Sequence, residues 1–275
     1  MKLVTIRTAN GTRAGRLDGD TVVELPDSDV GALLAGGPAS LRAAATADGA
    51  RRALADVDLA PVIPHPPKII CVGQNYMAHI AEMGSQPPEY PTLFAKYTRA
   101  LIGPRDDIVL PKVSDNIDWE VELAIVIGSE GRHLTTENAM DVVAGWTILN
   151  DVSVRDFQRR TQQFLQGKTF EKSTPVGPAL VTKDELDASD LKLSTEVDGQ
   201  VMQSSTTADL LFKPAEIIAY ISQIITLEPG DIIATGTPSG VGAGRKPPVW
   251  LRPGQTCVCK VEGIGELVNR CVAEA

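Results

Sequence analysis

The sequence predicts a strand-rich α+β fold, and three observations favour it. Beyond residue 63 the chain alternates short apolar segments with loops. Asp198-Gly199 separates two of these segments with residue types that accept the positive φ of a tight hairpin turn. Convincing helical segments are few, and strands and helices do not alternate regularly, which argues against a doubly wound parallel sheet.

The first residues form a small unit of their own. Strands are expected over residues 2–8, 14–17 and 21–25, and helices over 29–35 and 39–56. Four prolines within residues 61–67 preclude a helix and favour a stiff extended connector. We therefore expect a small N-terminal α+β domain at 1–62 and a larger domain at 63–275.

The larger domain is expected to be mostly strands. Its predicted strands are 68–72, 92–96, 107–110, 119–127, 145–150, 178–181, 192–197, 200–203, 231–235, 256–262 and 265–272. Its predicted helices are 137–143 and 214–225. Pro214 suits the first turn of the second helix, where a missing N–H donor costs nothing.

Composition excludes several classes of partner. The net charge of −9 argues against nucleic acid or an anionic membrane surface. No segment approaches the roughly 20 apolar residues of a membrane span, and the alternating first residues do not resemble a signal peptide. The four cysteines lack zinc-like spacing and suit buried thiols in a reducing compartment. We expect a cytoplasmic protein.

Glu120 and Glu122 lie two residues apart in an apolar segment predicted to be a strand, so their side chains share one face. A divalent cation between them would relieve the repulsion of the two carboxylates. The alternative is a half-exposed strand with a solvated acidic face. Asp151 follows another apolar strand and would supply a third carboxylate, with Arg155 and Gln158 one turn later. Here the alternative is that Asp151 caps a helix and that Arg155 forms a surface ion pair.

A second group contains His79 and Glu82. Three residues apart on a helix, they would share a face, so the carboxylate would orient the imidazole and favour its protonated form as a general-base pair. The alternative is a solvated pair on a surface helix. Gly73 and Gly84 would let this helix move as a lid.

A third group comprises Gly167-Lys168 and the glycine-rich segment 236–242. A glycine before Lys168 would allow close approach of the backbone to a ligand, and the lysine would stabilise an enolate. The glycine-rich segment lacks the ending of a P-loop and the dinucleotide fingerprint. We expect Thr237 to donate to a substrate carboxylate and the glycines, Gly236 among them, to keep the loop tight.

Taken together these motifs resemble the fumarylacetoacetate hydrolase family, over about residues 64–275. The motifs that carry the resemblance are Asn75-Tyr-x-x-His79-x-x-Glu82, Asp118-x-Glu120-x-Glu122-Leu123-Ala-x-Val126-Ile127-Gly128, Asn150-Asp151-x-Ser-x-Arg155, Gly167-Lys168 and Thr235-Gly236-Thr237-Pro238-x-Gly240-Val241-Gly242.

The resemblance implies a mixed β-sheet roll, usually a homodimer, with a variable N-terminal appendage. It implies Mg²⁺ or Mn²⁺ on Glu120, Glu122 and Asp151. His79 and Glu82 match its lid base pair and Lys168 its enolate-stabilising lysine. Its substrate-binding positions match Arg155, Gln158, Thr237 and Gly236.

The implied activity is metal-dependent hydrolysis of a C–C bond in a 2,4-diketo acid of the acylpyruvate type. His79 would activate water, and Lys168 would stabilise the pyruvate enolate that leaves. Two alternatives use the same site, namely decarboxylation of oxaloacetate and isomerisation of a hydroxydienoate. A binding protein without turnover is the alternative from another class, and the retained metal carboxylates and lid histidine argue against it. The small 2-oxo acid that is the substrate is not identified by the sequence.

Overall fold

A computed structural model describes residues 1–275. Its strands are β1 (Lys2–Thr8), β2 (Gly11–Asp18), β3 (Thr21–Glu24), β4 (Arg51–Ala53), β5 (Ile69–Gly73), β6 (Thr92–Ala95), β7 (Leu101–Ile102), β8 (Ile108–Leu110), β9 (Ile117–Asp118), β10 (Val121–Ile127), β11 (Val143–Asn150), β12 (Ser153–Val154), β13 (Thr174–Thr182), β14 (Lys192–Val197), β15 (Gln200–Thr206), β16 (Ile232–Ala234), β17 (Thr256–Val261) and β18 (Gly265–Ala273). The α-helices are α1 (Val30–Ala35), α2 (Gly37–Thr46), α3 (Met77–Glu82), α4 (Arg155–Gln158), α5 (Leu165–Lys168) and α6 (Pro214–Ile224).

The strands form two main sheets, which confirms the predicted strand-rich fold. An 11-stranded sheet runs in the order β4-β3-β2-β1-β13-β11-β10-β16-β5-β6, with β7 beside β13. A five-stranded sheet runs in the order β15-β14-β17-β18-β8, and β9 pairs with β12. Parallel pairs, such as β16 with β5, occur among antiparallel ones, so the sheets are mixed. The predicted hairpin turn joins β14 to β15, with φ values of 50° at Asp198 and 78° at Gly199.

Two predicted helices were wrong in extent. The helix predicted over 39–56 ends at Thr46, because residues 51–53 pair as β4 with β3. Gly49 allows this pairing, since a Cβ there would lie 2.0 Å from the carbonyl oxygen of Glu24. The helix predicted over 137–143 is a short 3-10 turn at Ala139–Val142, and Val143 already belongs to β11.

Strand β10 lies between two hydrophobic cores. Its side chains at 121, 123, 125 and 127 join a core shared with the five-stranded sheet. Ala124 and Val126 face the opposite way, into a core that also contains Leu3 and Val30. A strand buried on both faces has the continuously apolar sequence seen here. Glu122 and the residue preceding β10, Glu120, therefore lie on the face of Ala124 and Val126.

The N-terminal unit shares a sheet with the rest of the chain. Strand β1 pairs antiparallel with β13, and Leu3 lies opposite Leu180. The proline-rich segment 61–67 forms neither helix nor strand, as expected, and Val62 and Ile63 within it are buried. The domain boundary near residue 62 stays a prediction.

None of the helices has the length and apolar character that crossing a membrane requires. All four cysteines are free and buried, as predicted. The cytoplasmic location and the homodimer stay predictions.

Candidate active site

The register of β10 against β11 brings three carboxylates together. Val121 lies opposite Asn150, and the backbone N–H of Asp151 donates to the carbonyl oxygen of Glu120 at 2.9 Å. Glu120 and Asp151 thus face each other across two adjacent strand ends. One ligand oxygen from each of Glu120, Glu122 and Asp151 lies within 4.8 Å of the others, and all three residues are buried. The three predicted metal ligands converge.

Buried cations hold two of these carboxylates. Lys168 Nζ donates to Glu120 Oε2 at 2.6 Å and to Asp151 Oδ2 at 2.8 Å. Lys96 Nζ donates to Asp151 Oδ1 at 2.6 Å, and neither side chain is exposed. Glu122 has no ion-pair partner and accepts only the backbone N–H of Gly236, at 2.7 Å. The carboxylates are therefore unequally compensated.

The pKa values follow this inequality. Burial raises the pKa of the Glu120 carboxyl, but Lys168 and Arg155 outweigh it and hold the pKa at about 2. Burial, together with the charges of Asp151 and Glu120, raises the pKa of Glu122 well above its ordinary value. Of the three carboxylates, Glu122 is the one with no cationic side chain paired to it.

The three residues fit a divalent cation. Hard cations take carboxylate oxygens at about 2.0–2.6 Å, so two ligands of one ion can lie about 4–5 Å apart. The ligand oxygens of the three residues lie no more than 4.8 Å apart, which is compatible with one shared ion. The uncompensated charge of Glu122 is what such an ion would neutralise. Oxygen ligands suit Mg²⁺ and Mn²⁺ alike, so the arrangement does not identify the metal.

Arg155 joins the site to the glycine-rich loop. Its Nε donates to Asp118 Oδ2 at 2.8 Å and its Nη1 to Gln158 Oε1 at 2.9 Å. Its Nη2 lies 2.7 Å from Glu120 Oε1, outside hydrogen-bonding alignment. Asp118 also accepts the backbone N–H groups of residues 242 and 243. Arg155 and Gln158 are thus brought to the site, with the arginine already engaged by protein carboxylates.

The predicted base pair is formed at the end of α3. His79 Nδ1 lies 3.0 Å from Glu82 Oε2, and the histidine is 9% exposed and lines the pocket. Glu82 Oε1 accepts the backbone N–H of Gly240 at 2.9 Å. Burial raises the pKa of Glu82, but its bonds to His79 and Gly240 outweigh burial and lower it. The pair is half-buried rather than solvated, and whether α3 moves as a lid stays a prediction.

Three residues of the third group contact other protein groups in this structure, and their expected roles toward a ligand stay predictions. The close approach at Gly167 is to protein, because a Cβ there would lie 2.4 Å from the backbone nitrogen of Gln158. Gly167 therefore packs α5 against α4 and sets the position of Lys168. The Thr237 hydroxyl donates to the carbonyl oxygen of Val121 at 3.0 Å, and Gly236 donates to Glu122, so these donors bind protein groups here.

Lys96 and Asp118 are the site residues to which the sequence analysis gave no role. Lys96 directly follows β6, and Asp118 ends β9. Lys96 follows the apolar residues 93–95, and Asp118 directly precedes the apolar segment 119–127, but neither position by itself assigns the residue to the site. Lys96 was missed because it was placed as the last residue of the predicted strand 92–96.

Several of the site residues line one pocket with a volume of about 350 Å³. Its lining includes His79, Glu120, Glu122, Arg155, Gln158, Arg159, Lys168 and Thr237. Two of the three carboxylates, the buried Lys168 and the histidine of the His79–Glu82 pair therefore open on the same space. Such a site can bind a small anionic molecule and exchange a proton with it.

Comparisons with known proteins agree with this arrangement. Residues 68–272 match the family described as "Fumarylacetoacetate (FAA) hydrolase C-terminal", and residues 1–61 match "Rv2993c-like, N-terminal". "Oxaloacetate tautomerase Fahd2a, mitochondrial" of Rattus norvegicus is 48% identical over 216 residues, which cover 78% of this chain and 69% of that protein.

Solved structures also resemble this chain. For two of them, the match covers 100% of this chain and 100% of the solved chain. Fumarylacetoacetate hydrolase from Exiguobacterium antarcticum has a TM-score of 0.89 at 36% identity. The 5-carboxymethyl-2-hydroxymuconate delta-isomerase from Mycobacterium smegmatis has a TM-score of 0.83 at 38% identity. With the family match over most of its length and a relative at 48% identity, the chain belongs to the fumarylacetoacetate hydrolase family, whose members include enzymes.

Proposed function

We propose that this protein is a divalent-metal-dependent enzyme that interconverts the keto and enol forms of oxaloacetate. The observation that carries the proposal is the cluster of three buried carboxylates, of which Glu120 and Glu122 line one pocket together with the ion-paired Lys168 and with His79, the partner of Glu82. The 48%-identical relative is named for this reaction, which supports the choice of substrate.

The carboxylates of Glu120, Glu122 and Asp151 would hold the ion. A bound divalent ion supplies Lewis acidity to the 2-oxo group of a substrate. The remaining steps belong to the protein's own side chains and need only proton transfer.

Lys168 would stabilise the negative charge that develops on a substrate oxygen. It bridges Glu120 and Asp151, and these two anions raise its pKa against the effect of burial, so its ammonium stays protonated. A fixed cation beside an enolate oxygen stabilises it, and single donors of this kind contribute about 2.7–4 kcal/mol to transition-state stabilisation.

His79 would move the proton. Because Nδ1 faces the Glu82 carboxylate, Nδ1 carries the hydrogen and Nε2 is the free base. Nε2 takes a proton from C3 of oxaloacetate, and the electron pair of the broken C–H bond becomes the C2–C3 double bond of the enolate. Nε2 of the protonated His79 then gives this proton to the enolate oxygen, directly or through a water molecule, which forms the enol and restores the base, and no carbon–carbon bond breaks.

Hydrolysis of an acylpyruvate, the activity expected from the sequence, is a second candidate. The pocket volume favours it, because about 350 Å³ exceeds what a four-carbon acid fills and leaves room for water and a longer tail. In that reaction His79 Nε2 would deprotonate a water molecule instead of carbon. Both candidate reactions have a 2-oxo acid as their substrate.

One experiment separates the candidates. Chelator-treated protein is assayed with Mg²⁺ and with Mn²⁺ for loss of the oxaloacetate enol absorbance, for pyruvate release from oxaloacetate, and for loss of acylpyruvate absorbance. We expect metal-dependent acceleration of the first reaction beyond the other two. Acylpyruvate cleavage as the dominant activity would replace tautomerisation with hydrolysis, and no metal-dependent turnover of any 2-oxo acid would overturn the proposal.

A further inference from the structure

The pocket has a buried floor and an exposed rim, and their cations differ in what they already bind. At the floor, Lys168 is paired with Glu120 and Asp151. At the rim, the exposed Arg159 also lines the pocket. Its guanidinium makes no hydrogen bond or ion pair with any residue of the chain, and only its backbone is bonded.

The backbone fixes where Arg159 stands. Its N–H donates to the carbonyl oxygen of Arg155 at 3.1 Å, so the two arginines lie four residues apart on the same helical face. Gln158, which also lines the pocket, lies between them in sequence. Helix α4 and the residue that follows it therefore present one engaged arginine at the floor and one unengaged arginine at the rim.

The next residue, Arg160, shows that not every arginine of this segment has a guanidinium without a protein partner. The guanidinium of Arg160 lies 3.4 Å from the ring centroid of Phe157 and 3.6 Å from an oxygen of Asp156. Arg160 does not line the pocket. The two adjacent arginines thus differ. Arg160 is held by contacts with the protein, whereas the guanidinium of Arg159 is free and lines the pocket.

We propose that Arg159 binds the distal carboxylate of a dicarboxylic 2-oxo acid and so selects dicarboxylic substrates over 2-oxo acids with an uncharged tail. This inference rests on the proposed function, because it takes the 2-oxo acid end to be held at the floor. A guanidinium offers a carboxylate two parallel hydrogen bonds, a geometry that an uncharged tail cannot use.

The free guanidinium of Arg159 favours an anionic group at its position over an apolar one. Only 4 of the 16 residues that line the pocket are hydrophobic, and its polar residues include Gln74, Ser85 and Thr161. The protein carries a net charge of −9, so a local cation is needed to hold a second negative charge on the substrate. Arg159 is the cation of this pocket that no protein carboxylate has engaged.

The inference is tested with a matched pair of ligands, whose binding is measured instead of their conversion by the enzyme. Binding of 2-oxoglutarate and of 2-oxopentanoate, which differ by a distal carboxylate in place of a methyl group, is measured by calorimetry with Mn²⁺ present. We expect the wild-type protein to bind 2-oxoglutarate about tenfold to a hundredfold more tightly, the range of a charge-assisted hydrogen bond. Arg159→Ala should abolish this difference, and Arg159→Lys should restore part of it.

Arg160→Ala is the matched control, and it should keep the wild-type preference. Equal binding of both acids by the wild-type protein, or an unchanged preference in Arg159→Ala, would refute the role of Arg159 while leaving the proposed function standing. Loss of the preference in Arg160→Ala as well would also refute it. If neither acid bound the wild-type protein, the proposed function would fail and this inference with it.

Discussion

Glu122→Gln should abolish metal binding and yet not destabilise the metal-free protein. The ligand oxygens of Glu122, Glu120 and Asp151 lie within 4.8 Å of one another. At an effective dielectric constant of about 20, two unit charges at that distance repel by about 3 kcal/mol. Lys168 offsets part of this repulsion, so removing the charge of Glu122 should raise the free energy of unfolding by about 1 kcal/mol. Glutamine keeps the acceptor for the Gly236 N–H.

Glu120→Gln is the matched control, because it removes the same negative charge from a carboxylate that is paired with cationic side chains. Glu120 contacts the cations of Lys168 and Arg155. Breaking a buried ion pair from one side costs about 3–5 kcal/mol. The two variants should therefore shift the stability of the metal-free protein in opposite directions, although both lose an ion ligand.

The effect of Glu122→Gln should depend on pH. Because the pKa of Glu122 is raised in the folded state, the folded protein binds this proton more tightly than the unfolded chain. The contribution of Glu122 to stability is thus greatest below its unfolded pKa of about 4.3 and declines as pH rises towards its folded value. The stabilisation by Glu122→Gln should accordingly grow with pH above about 4.3.

Urea unfolding in a chelator, from pH 4 to pH 8, measures these differences, and thermal melting with added Mn²⁺ measures metal binding. If Glu122→Gln destabilised the metal-free protein as much as Glu120→Gln, Glu122 would not be the uncompensated carboxylate. If Glu122→Gln kept the wild-type response to Mn²⁺, it would not be a ligand.

Three further outcomes are expected. Saturating the wild-type protein with Mg²⁺ or Mn²⁺ at about 100 times the Kd should add about 2.7 kcal/mol to the free energy of unfolding, and a chelator should remove it in a thermal melt. Gly167→Ala should cost about 1–3 kcal/mol in urea unfolding, because its Cβ would overlap Gln158 and push α5 from α4. Glu82→Gln should lower turnover about a hundredfold by releasing the orientation of His79, while calorimetry shows metal affinity unchanged.

The carboxylate site was predictable because strand geometry acts locally. Residues two apart in an extended segment share a face, and this holds for Glu120 and Glu122 although β10 itself begins only at Val121. Asp151 was found because it follows the end of an apolar strand. That Glu120 lies opposite Asp151 depends on the pairing of β10 with β11, which the sequence does not specify.

Other features depend on contacts distant in sequence. The helix expected over 39–56 has the right composition, but pairing of β4 with β3 overrides helix propensity there. The four-residue helix α5 is too short to show a hydrophobic period, so its packing through Gly167 was not predictable. Lys96 is recognisable as a site residue only once β6 and β11 are known to end near each other.

The two faces of β10 connect the site to the N-terminal unit. On the face that carries Glu120 and Glu122, the next side chains are Ala124 and Val126, and they share a buried core with Leu3 and residues of α1. The strand that fixes the carboxylates is thus packed on that face by the first part of the chain. Rigid placement of ligands requires that their supporting side chains be packed. A boundary near residue 62, where the connector lies, therefore does not divide the packing, because the N-terminal unit completes the core behind the carboxylates.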